Sequence, residues 1–477
     1  MQQRPRRPPP SSGIRRLLLA GVAVALAALL LARWQPWRDG GGETPRPVAL
    51  VPTATPPLPT PTRAPERVSL PSAAATGAAT PPATMTPAAS AGRRATGAIL
   101  ATGELAGRAG IVASAADGSE QRLIAAGQYD TVAWSPDGAH FAAAGPLPGG
   151  GAQVALFDAG GRTLARHAVE GRVGSALSWS PGGGEVAWVV VAAGSAAPGL
   201  APPSDVWRAE IGGAARRVAV PDGGWVSPLA WSPDGTLFVA SYAPANGRYA
   251  IWRVGPGAGL PVPVLADTIA PLALSDNGRT LLALGPTIEP APTELIAINL
   301  RTGERRTLAD AGRVGAVAFG SPATPGTDRF SVALLAPGEA HMAVVVERPP
   351  QEGATLLRPE RELVILARDG TVTGVARVAS GGLTWPMAWS PDGTLLAFNA
   401  DGNPADESAL YVVDTRGERR ASARFARSGQ SGLPSFGWSP DGRWLAYADS
   451  GGVTMLAADG GASYTLALVA GRVAWRP

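Results

Sequence analysis

The sequence predicts an all-β fold, a β-propeller of eight blades. Three observations carry this. A Trp-Ser-Pro-Asp-Gly turn recurs through residues 96–477. Each copy is followed by further short apolar runs divided by Gly-bearing turns. The 477 residues include 61 Gly and 47 Pro, a density of turn formers that argues against a helical bundle.

The motif reads Val-Ala-Trp-Ser-Pro-Asp-Gly at 132–138, Leu-Ser-Trp-Ser-Pro-Gly-Gly at 177–183 and Leu-Ala-Trp-Ser-Pro-Asp-Gly at 229–235. It returns as Leu-Ala-Leu-Ser-Asp-Asn-Gly at 272–278, Met-Ala-Trp-Ser-Pro-Asp-Gly at 387–393 and Phe-Gly-Trp-Ser-Pro-Asp-Gly at 436–442, with a truncated Val-Ala-Trp-Arg-Pro at 473–477. Between 278 and 387 the copy is degenerate: either Val-Ala-Phe-Gly-Ser-Pro at 317–322 or the stretch 335–343 supplies it. A period of 37 to about 60 residues marks a repeat architecture. Each copy is a strand that ends at Trp and turns at once. Pro presets φ at the first turn position, Asp suits the second, and Gly takes the left-handed one. A second strand follows directly (for example Phe141 to Ala144 and Leu395 to Phe398), a third comes after a variable loop (Gln153 to Phe157, Leu363 to Ala367), and a Gly-bearing turn leads to a fourth. Four antiparallel strands per repeat make a propeller blade. The motif Trp residues, Trp134, Trp179, Trp231, Trp389 and Trp438, read as core between blades.

The turn resembles the WD40-like PD40 repeat of TolB-type propellers, and the resemblance covers roughly 96–477. It implies the fold and says little about function. Gly182 for Asp, Leu274 and Asp276 for Trp and Pro, and the irregular fifth unit depart from the pattern.

Seven full units begin at 132, 177, 229, 272, the fifth unit, 387 and 436. The copy at 473–477 stops after one strand. Gly97 to Ala101, Gly110 to Ser114 and Gln121 to Ile124 read as three strands with no motif before them, turning at Asp117-Gly118. A blade shared by both ends would close the ring as the eighth and leave no open sheet edge. Seven blades is the alternative, if the irregular unit or these strands are assigned otherwise.

Residues 1–16 form a basic tail expected to be cytoplasmic. Leu17 to Ala32 is an unbroken apolar run, and 17–33 is assigned as a transmembrane signal anchor. Sixteen helical residues span about 24 Å against a bilayer core of about 30 Å. Snorkelling Arg16 and Arg33, with Trp34 and Trp37 at the interface, make up the difference. The alternative is a cleaved signal peptide, but the Ala-x-Ala triplets lie inside the run rather than after it. Five Arg precede the run and three follow closely, which by the positive-inside rule puts the N-terminus in the cytoplasm and the rest outside the cell membrane. Residues 34–95 read as a disordered stalk: Thr44 to Ala95 holds 12 Pro and 9 Thr and has no aromatic residue.

The net charge of +4 divides unevenly. Residues 1–95 carry 12 Arg against Asp39, Glu43 and Glu66, a net of +9, which leaves −5 on the other 382. An acidic globular part does not suit nucleic acid, whose binding needs a basic face. There is no Cys, which excludes disulfides, a thiol nucleophile and Cys-ligated metals. All 41 basic residues are Arg, so Lys chemistry is excluded too. His140, His167 and His341 are far apart in sequence, and no nucleophile elbow, phosphate-binding loop or dinucleotide fingerprint occurs. Similar propellers precede a hydrolase domain in prolyl-oligopeptidase-like peptidases, and none is expected after Pro477. Asp137, Asp234, Asp392 and Asp441 each stand alone in a tight turn, so a turn role is expected rather than calcium ligation. His140 and His341, at matching positions after their turns, read as strand-edge residues.

The expected function is binding or scaffolding without catalysis, no cofactor and no metal, with a protein or glycan partner. The alternative is an envelope enzyme, a hydrolase or lyase working in the funnel. Connections alternate between the two ends of the ring. The short Asp-Gly turns share one face. The longer segments Gly145 to Gly151, Gly194 to Ser204, Ala243 to Arg248, Gly285 to Pro292, Arg348 to Arg361 and Ala400 to Ser408 share the other, where recognition is expected. The binding-face candidates are Tyr129, Trp225, Arg248 and Trp385. Tyr129, Trp225 and Trp385 fall just before first strands, either as binding anchors or as rim packing. Protease added to intact cells is expected to cut within 44–95 and release a folded fragment of about the propeller's length. Protection until lysis would reverse the orientation, and mature protein starting near residue 33 would show a cleaved signal.

Overall fold

The computed structural model describes residues 94–192, 203–220, 224–243, 248–257, 259–267, 270–275, 277–285, 293–321, 328–350, 359–376, 383–401, 407–426, 435–449 and 452–477. The expected tail, the anchor and all of the stalk but its last two residues lie outside them. No helix among the described residues is long and apolar enough to cross a membrane.

The fold is all-β and propeller-like. Three strands open it: β1 (Ala98–Leu105), β2 (Arg108–Ala115) and β3 (Arg122–Ala126). The first unit is β4 (Thr131–Trp134), β5 (His140–Pro146), β6 (Ala152–Asp158) and β7 (Thr163–Val169). The second is β8 (Arg172–Trp179), β9 (Glu185–Val191), β10 (Ser204–Glu210) and β11 (Arg216–Val218). The third is β12 (Trp225–Trp231), β13 (Leu237–Ala243), β14 (Arg248–Val254) and β15 (Val262–Asp267). The fourth is β16 (Ala270–Leu274), β17 (Thr280–Gly285), β18 (Glu294–Asn299) and β19 (Arg305–Asp310). Helix α1 (Ala311–Phe319) leads into the fifth, β20 (Arg329–Leu335), β21 (His341–Arg348), β22 (Glu360–Ala367) and β23 (Val372–Ala376). The sixth is β24 (Leu383–Trp389), β25 (Leu395–Asp401), β26 (Glu407–Asp414) and β27 (Arg419–Ala426). The seventh is β28 (Ser435–Trp438), β29 (Trp444–Asp449), β30 (Gly452–Ala457) and β31 (Ser463–Leu466), and β32 (Val469–Trp475) ends the chain.

Each unit is an antiparallel meander in chain order. β32 pairs with β1, from Ile99 opposite Trp475 to Glu104 opposite Val469, giving the order β3-β2-β1-β32. The second and third units touch edge to edge at one point, Ser204 beside Trp225, where the Ser204 hydroxyl donates to Val226 O at 3.0 Å.

The sheets are buried on both faces, so their strands read as continuous apolar runs rather than as alternating ones. On β9, Val186, Trp188 and Val190 face the first unit, while Ala187, Val189 and Val191 face the third. Among the described residues each consecutive pair of units encloses one buried cluster. The pairs formed by the β32 unit with the seventh and first units are included.

The motif tryptophans join these layers. Trp179 Nε1 donates to Ala133 O (3.1 Å), Trp389 to Leu334 O (3.1 Å), Trp438 to Ala388 O (3.0 Å) and Trp475 to Gly437 O (3.0 Å). Trp231 reaches both the carbonyl and the hydroxyl of Ser178. The acceptor is always one residue before the Trp position of the preceding unit. Trp134 differs: its Nε1 has no hydrogen-bond partner among the described residues. The Arg476 guanidinium lies 5.3 Å from the centre of its ring instead, and Arg476 Nε donates to Gly138 O at 3.1 Å.

The fifth copy of the motif is 335–343. Ala336 N donates to His341 O, the same turn bond that Ser135 N makes to His140 O. The rival stretch starting at Val317 falls on α1, which the sequence reading did not foresee. Asp310 caps that helix by accepting from Arg313 N at 3.0 Å, and Gly320 ends it at φ 69°. The last two residues assigned to the stalk pack on the seventh unit: Ala95 is buried, its N–H donates to Tyr464 Oη (2.9 Å), and Arg94 lies over the Tyr464 ring.

Deleting Gly471–Pro477 removes buried Val473 and Trp475, the indole bond to Gly437 and the Arg476 contact with Trp134. The loss of Trp475 alone is expected to cost about 3–5 kcal/mol, and the bare edge of β1 should promote association. Thermal unfolding and light scattering on the full-length protein check this. A truncated chain as stable and monomeric as its parent would refute it.

Candidate functional site

The two faces of the molecule are built from different chemistry. On the turn face, the motif Ser does what the sequence reading left to Pro, Asp and Gly. Its hydroxyl donates to the Asp two residues on: Ser135 to Asp137 (2.5 Å), Ser232 to Asp234 (2.6 Å), Ser390 to Asp392 (2.5 Å) and Ser439 to Asp441 (2.6 Å). The same Asp oxygen accepts the N–H of Ala139, Thr236, Thr394 or Arg443. In the first, sixth and seventh units the Ser oxygen also accepts the N–H five residues on, from His140, Leu395 and Trp444. Asn277 replaces Asp in the fourth unit and makes the same bonds to Ser275 and Arg279. The Gly that follows is at positive φ, and at Gly393 an added Cβ would lie 2.7 Å from Pro337 O of the fifth unit. Hydrogen bonds from Ser135 and then Ala139 hold Asp137 below the ordinary carboxylate range, and Ser232 and Thr236 do so for Asp234. Each of these four carboxylates thus has one oxygen tied into its own turn.

The second unit has Gly182 in place of this Asp, and Glu185 brings a carboxylate to the end of that turn. It lies 3.3 Å from Arg208 Nε, with both side chains almost fully buried. The two outer guanidinium nitrogens of Arg208 donate to Gly255 O and Gly257 O of the third unit. Burial pushes the Glu185 carboxyl up and Arg208 pulls it back. A buried charge pair that also satisfies main-chain carbonyls is costly to break from one side.

The loop face carries the four candidates. Tyr129, just before β4, is buried, with its ring edge-on to Phe157 at 6.2 Å. Its hydroxyl has no hydrogen-bond partner among the described residues. Trp225 opens β12 and is also buried. It stands directly across from Tyr242, which stands across from Tyr249, at centroid distances of 5.6 and 4.8 Å. Arg248 opens β14 opposite Ala243, and Trp385 lies where the pairing of β24 with β25 shifts register. Tyr129 and Trp225 belong to separate clusters, so the structure does not bring these two into one patch. Asp130, next to Tyr129, has its carboxyl pushed up by the surrounding protein and drawn down by Arg472 of β32.

The sequence reading missed a charged network on the fifth unit. Arg348 grips Asp328 with two nitrogens (2.9 and 2.8 Å), donates to the hydroxyl and carbonyl of Ser321, and lies over the ring of Phe319 at 4.3 Å. Buried Glu347 accepts from Arg361 (2.7 Å) and Arg329 (3.2 Å). These bonds fasten the end of α1 to the starts of β20 and β22. A signal for the helix was present in Asp310 and Gly320, which bracket nine residues at cap spacing.

His140 and His341 occupy equivalent positions at the starts of β5 and β21. His167 stacks on Trp188 at 5.9 Å, and burial lowers its imidazole below the ordinary value. Among the described residues no three His, Asp or Glu side chains converge as a metal site.

No family model and no curated protein matches the chain. Solved structures similar to it include a eukaryotic initiation factor (14% identity, 81% of this chain and 99% of that one, TM-score 0.48). TolB from Acinetobacter baumannii is similar at 16% identity, over 58% of this chain and 62% of that one, TM-score 0.31. The Dos1 propeller is similar at 12%, over 69% and 81%, TM-score 0.44. The fold assignment stands on the strand pairing described above.

Asp234→Asn tests the turn chemistry, with Asn277 as its natural counterpart. A carboxylate held low in the folded state contributes stability that is complete above its ordinary value of 3.8 and is lost as pH falls through the folded value. The variant is expected to be less stable than the parent in urea unfolding above pH 3.8, with the gap closing as pH falls below it. An unchanged acid slope would show that Asp234 is not held low.

Proposed function

We propose that residues 96–477 form an eight-bladed propeller closed by both chain ends, held outside the cell on the stalk 34–95 by the anchor 17–33. In this reading it is a non-catalytic binding or scaffolding module whose loop face takes a protein or glycan partner. The observation that carries the reading is the contrast between the faces. On the turn face the Ser–Asp bonds tie one oxygen of each Asp into its own short turn. The other face carries the longer connections, helix α1 and the Arg348–Asp328 network, displayed on a scaffold stiffened by indole bonds. First strands of neighbouring units touch from β4 through β20 and again from β24 through β28 and β32 back to β4, which supports closure as a ring of eight.

The full-length protein, screened in detergent against a glycan array and by cross-linking in its own membrane, is expected to yield a saturable ligand. Arg248→Ala and Trp385→Ala should weaken that ligand at least about tenfold, or ~1.4 kcal/mol, while Asp234→Asn leaves it unchanged. Loss of binding with the turn variant and none with the loop variants would overturn the face assignment. Turnover of fluorogenic ester, peptide or glycoside substrates would overturn the non-catalytic reading.

A further inference from the structure

The indole itself is missing from two units. Leu274 and Leu335 stand at the Trp position of the fourth and fifth units, so two slots between sheets lack their tryptophan. The two slots are treated differently. Between the third and fourth units, Phe238 of β13 joins Leu274 and Leu281 in one buried cluster, and its ring approaches the Gly278 turn. Between the fourth and fifth units no aromatic ring lines the turn end of the slot. The slot holds a cavity of about 220 Å³.

The walls of this cavity match the surroundings of an indole position by position. In the next slot, Trp389 packs in one cluster with Ala336, Ala343 and Ile365 of the fifth unit. Between the first and second units, Trp179 does so with Ala142 and Leu156. Ala343 pairs across the sheet with Ile365, and Ala142 with Leu156. The equivalent pair in the fourth unit is Leu282 with Ala297, and both line the cavity. Ser275, the counterpart of Ala336, lines it too, while Leu335 and Met342 form the opposite wall from the fifth unit. The space is therefore an indole site without its indole.

We propose that this slot binds a neutral planar aromatic group of about indole size, supplied either as a free small molecule or as the side chain of another polypeptide. The site lies at the turn end of the slot, away from the loop face, and goes beyond the function proposed above. Size allows it: the cleft, half open to solvent, holds about 220 Å³, against ~150 Å³ for an enclosed apolar cavity that takes benzene. Charge sets the class. The mouth carries Glu304 and Glu339 against Arg306 and Arg368, with Glu339 and Arg368 3.7 Å apart, a balanced set with no surplus to hold an ion. The inner wall of Leu282, Leu308, Leu335 and Met342 offers apolar contact alone.

The test uses the full-length protein in detergent, with indole as probe, read by saturation-transfer NMR and by titration calorimetry. Indole is expected to bind at one site, and indole-3-carboxylate at least tenfold more weakly. Leu335→Trp should abolish indole binding and raise the melting temperature, because the chain then fills the slot itself. Should that variant melt without cooperativity, Ala297→Leu, which narrows the same gap, should weaken indole at least tenfold. No binding of indole at millimolar concentration would overturn the proposal, as would equal binding by a folded Leu335→Trp or tighter binding of the carboxylate. A peptide carrying N-acetylated Trp that binds tighter than indole would support the site and identify a polypeptide as the source. Weaker binding of that peptide would support it with a free small molecule as the source.

Discussion

An indole N–H donated to the main chain of the preceding unit is the contact on which the rest of this molecule depends. A single such bond contributes about 1 kcal/mol net, which is modest. Its effect comes from position. The ring that makes it fills the slot between two sheets, and a buried Trp is worth several times the bond it makes. The N–H fixes the height of one sheet against the next, so register passes from unit to unit. Because the acceptor always lies one residue before the next Trp position, each unit sets its neighbour in the same way. The one motif Trp without a bond, Trp134, stands where the chain ends meet, and there Arg476 substitutes by lying against its ring and holding Gly138. The contact between β32 and the first unit is thus made by Arg476 rather than by an indole bond.

Much of this was legible because the motif is local. Pro, Asp and Gly state the turn within four residues, and the apolar runs that follow state the strands. The pairing of β32 with β1 could be read from a motif that lacked following strands and from strands that lacked a motif. The direction of the indole bonds was not legible, since donor and acceptor are 38 to 55 residues apart and nothing at the acceptor position distinguishes it. Nor was the role of the motif Ser. Its hydroxyl bridges a carboxylate and a distant N–H only once the second strand has returned. Helix α1 was hidden for a different reason. Val-Ala-Phe at 317–319 alternates as a strand would, and the caps at Asp310 and Gly320 carry information only if the stretch is read as a helix first. Trp225, read as falling just before a first strand, is the first residue of β12, and its burial follows from the register that sets Tyr242 and Tyr249 in one row beside it.

The charged groups follow the same division between local and distant. The turn aspartates are spent on main-chain N–H groups within their own loops, which explains why they could be read from the sequence as structural. The Arg348–Asp328 and Arg208–Glu185 pairs join segments 20 or more residues apart and reach main-chain carbonyls as well. Both occur where the repeat is irregular: one where a helix interrupts the passage to the fifth unit, the other where Gly182 has replaced the turn Asp. Directed charge pairs thus hold positions that the repeat no longer specifies.

The fourth and fifth units show what happens when the indole is withdrawn. The cluster between them is larger than a simple slot: it takes in Ala311, Val314 and Ala318 of α1 and reaches Trp225, Tyr242 and Tyr249 of the third unit. Apolar packing has shifted toward the loop face, where the helix supplies it and Arg348 pins it. The turn end of the same slot has received no replacement, since α1 cannot extend there from its place between β19 and β20. The cavity thus lies at the end of the slot where Leu335 stands at the Trp position, and its lining includes no residue of α1.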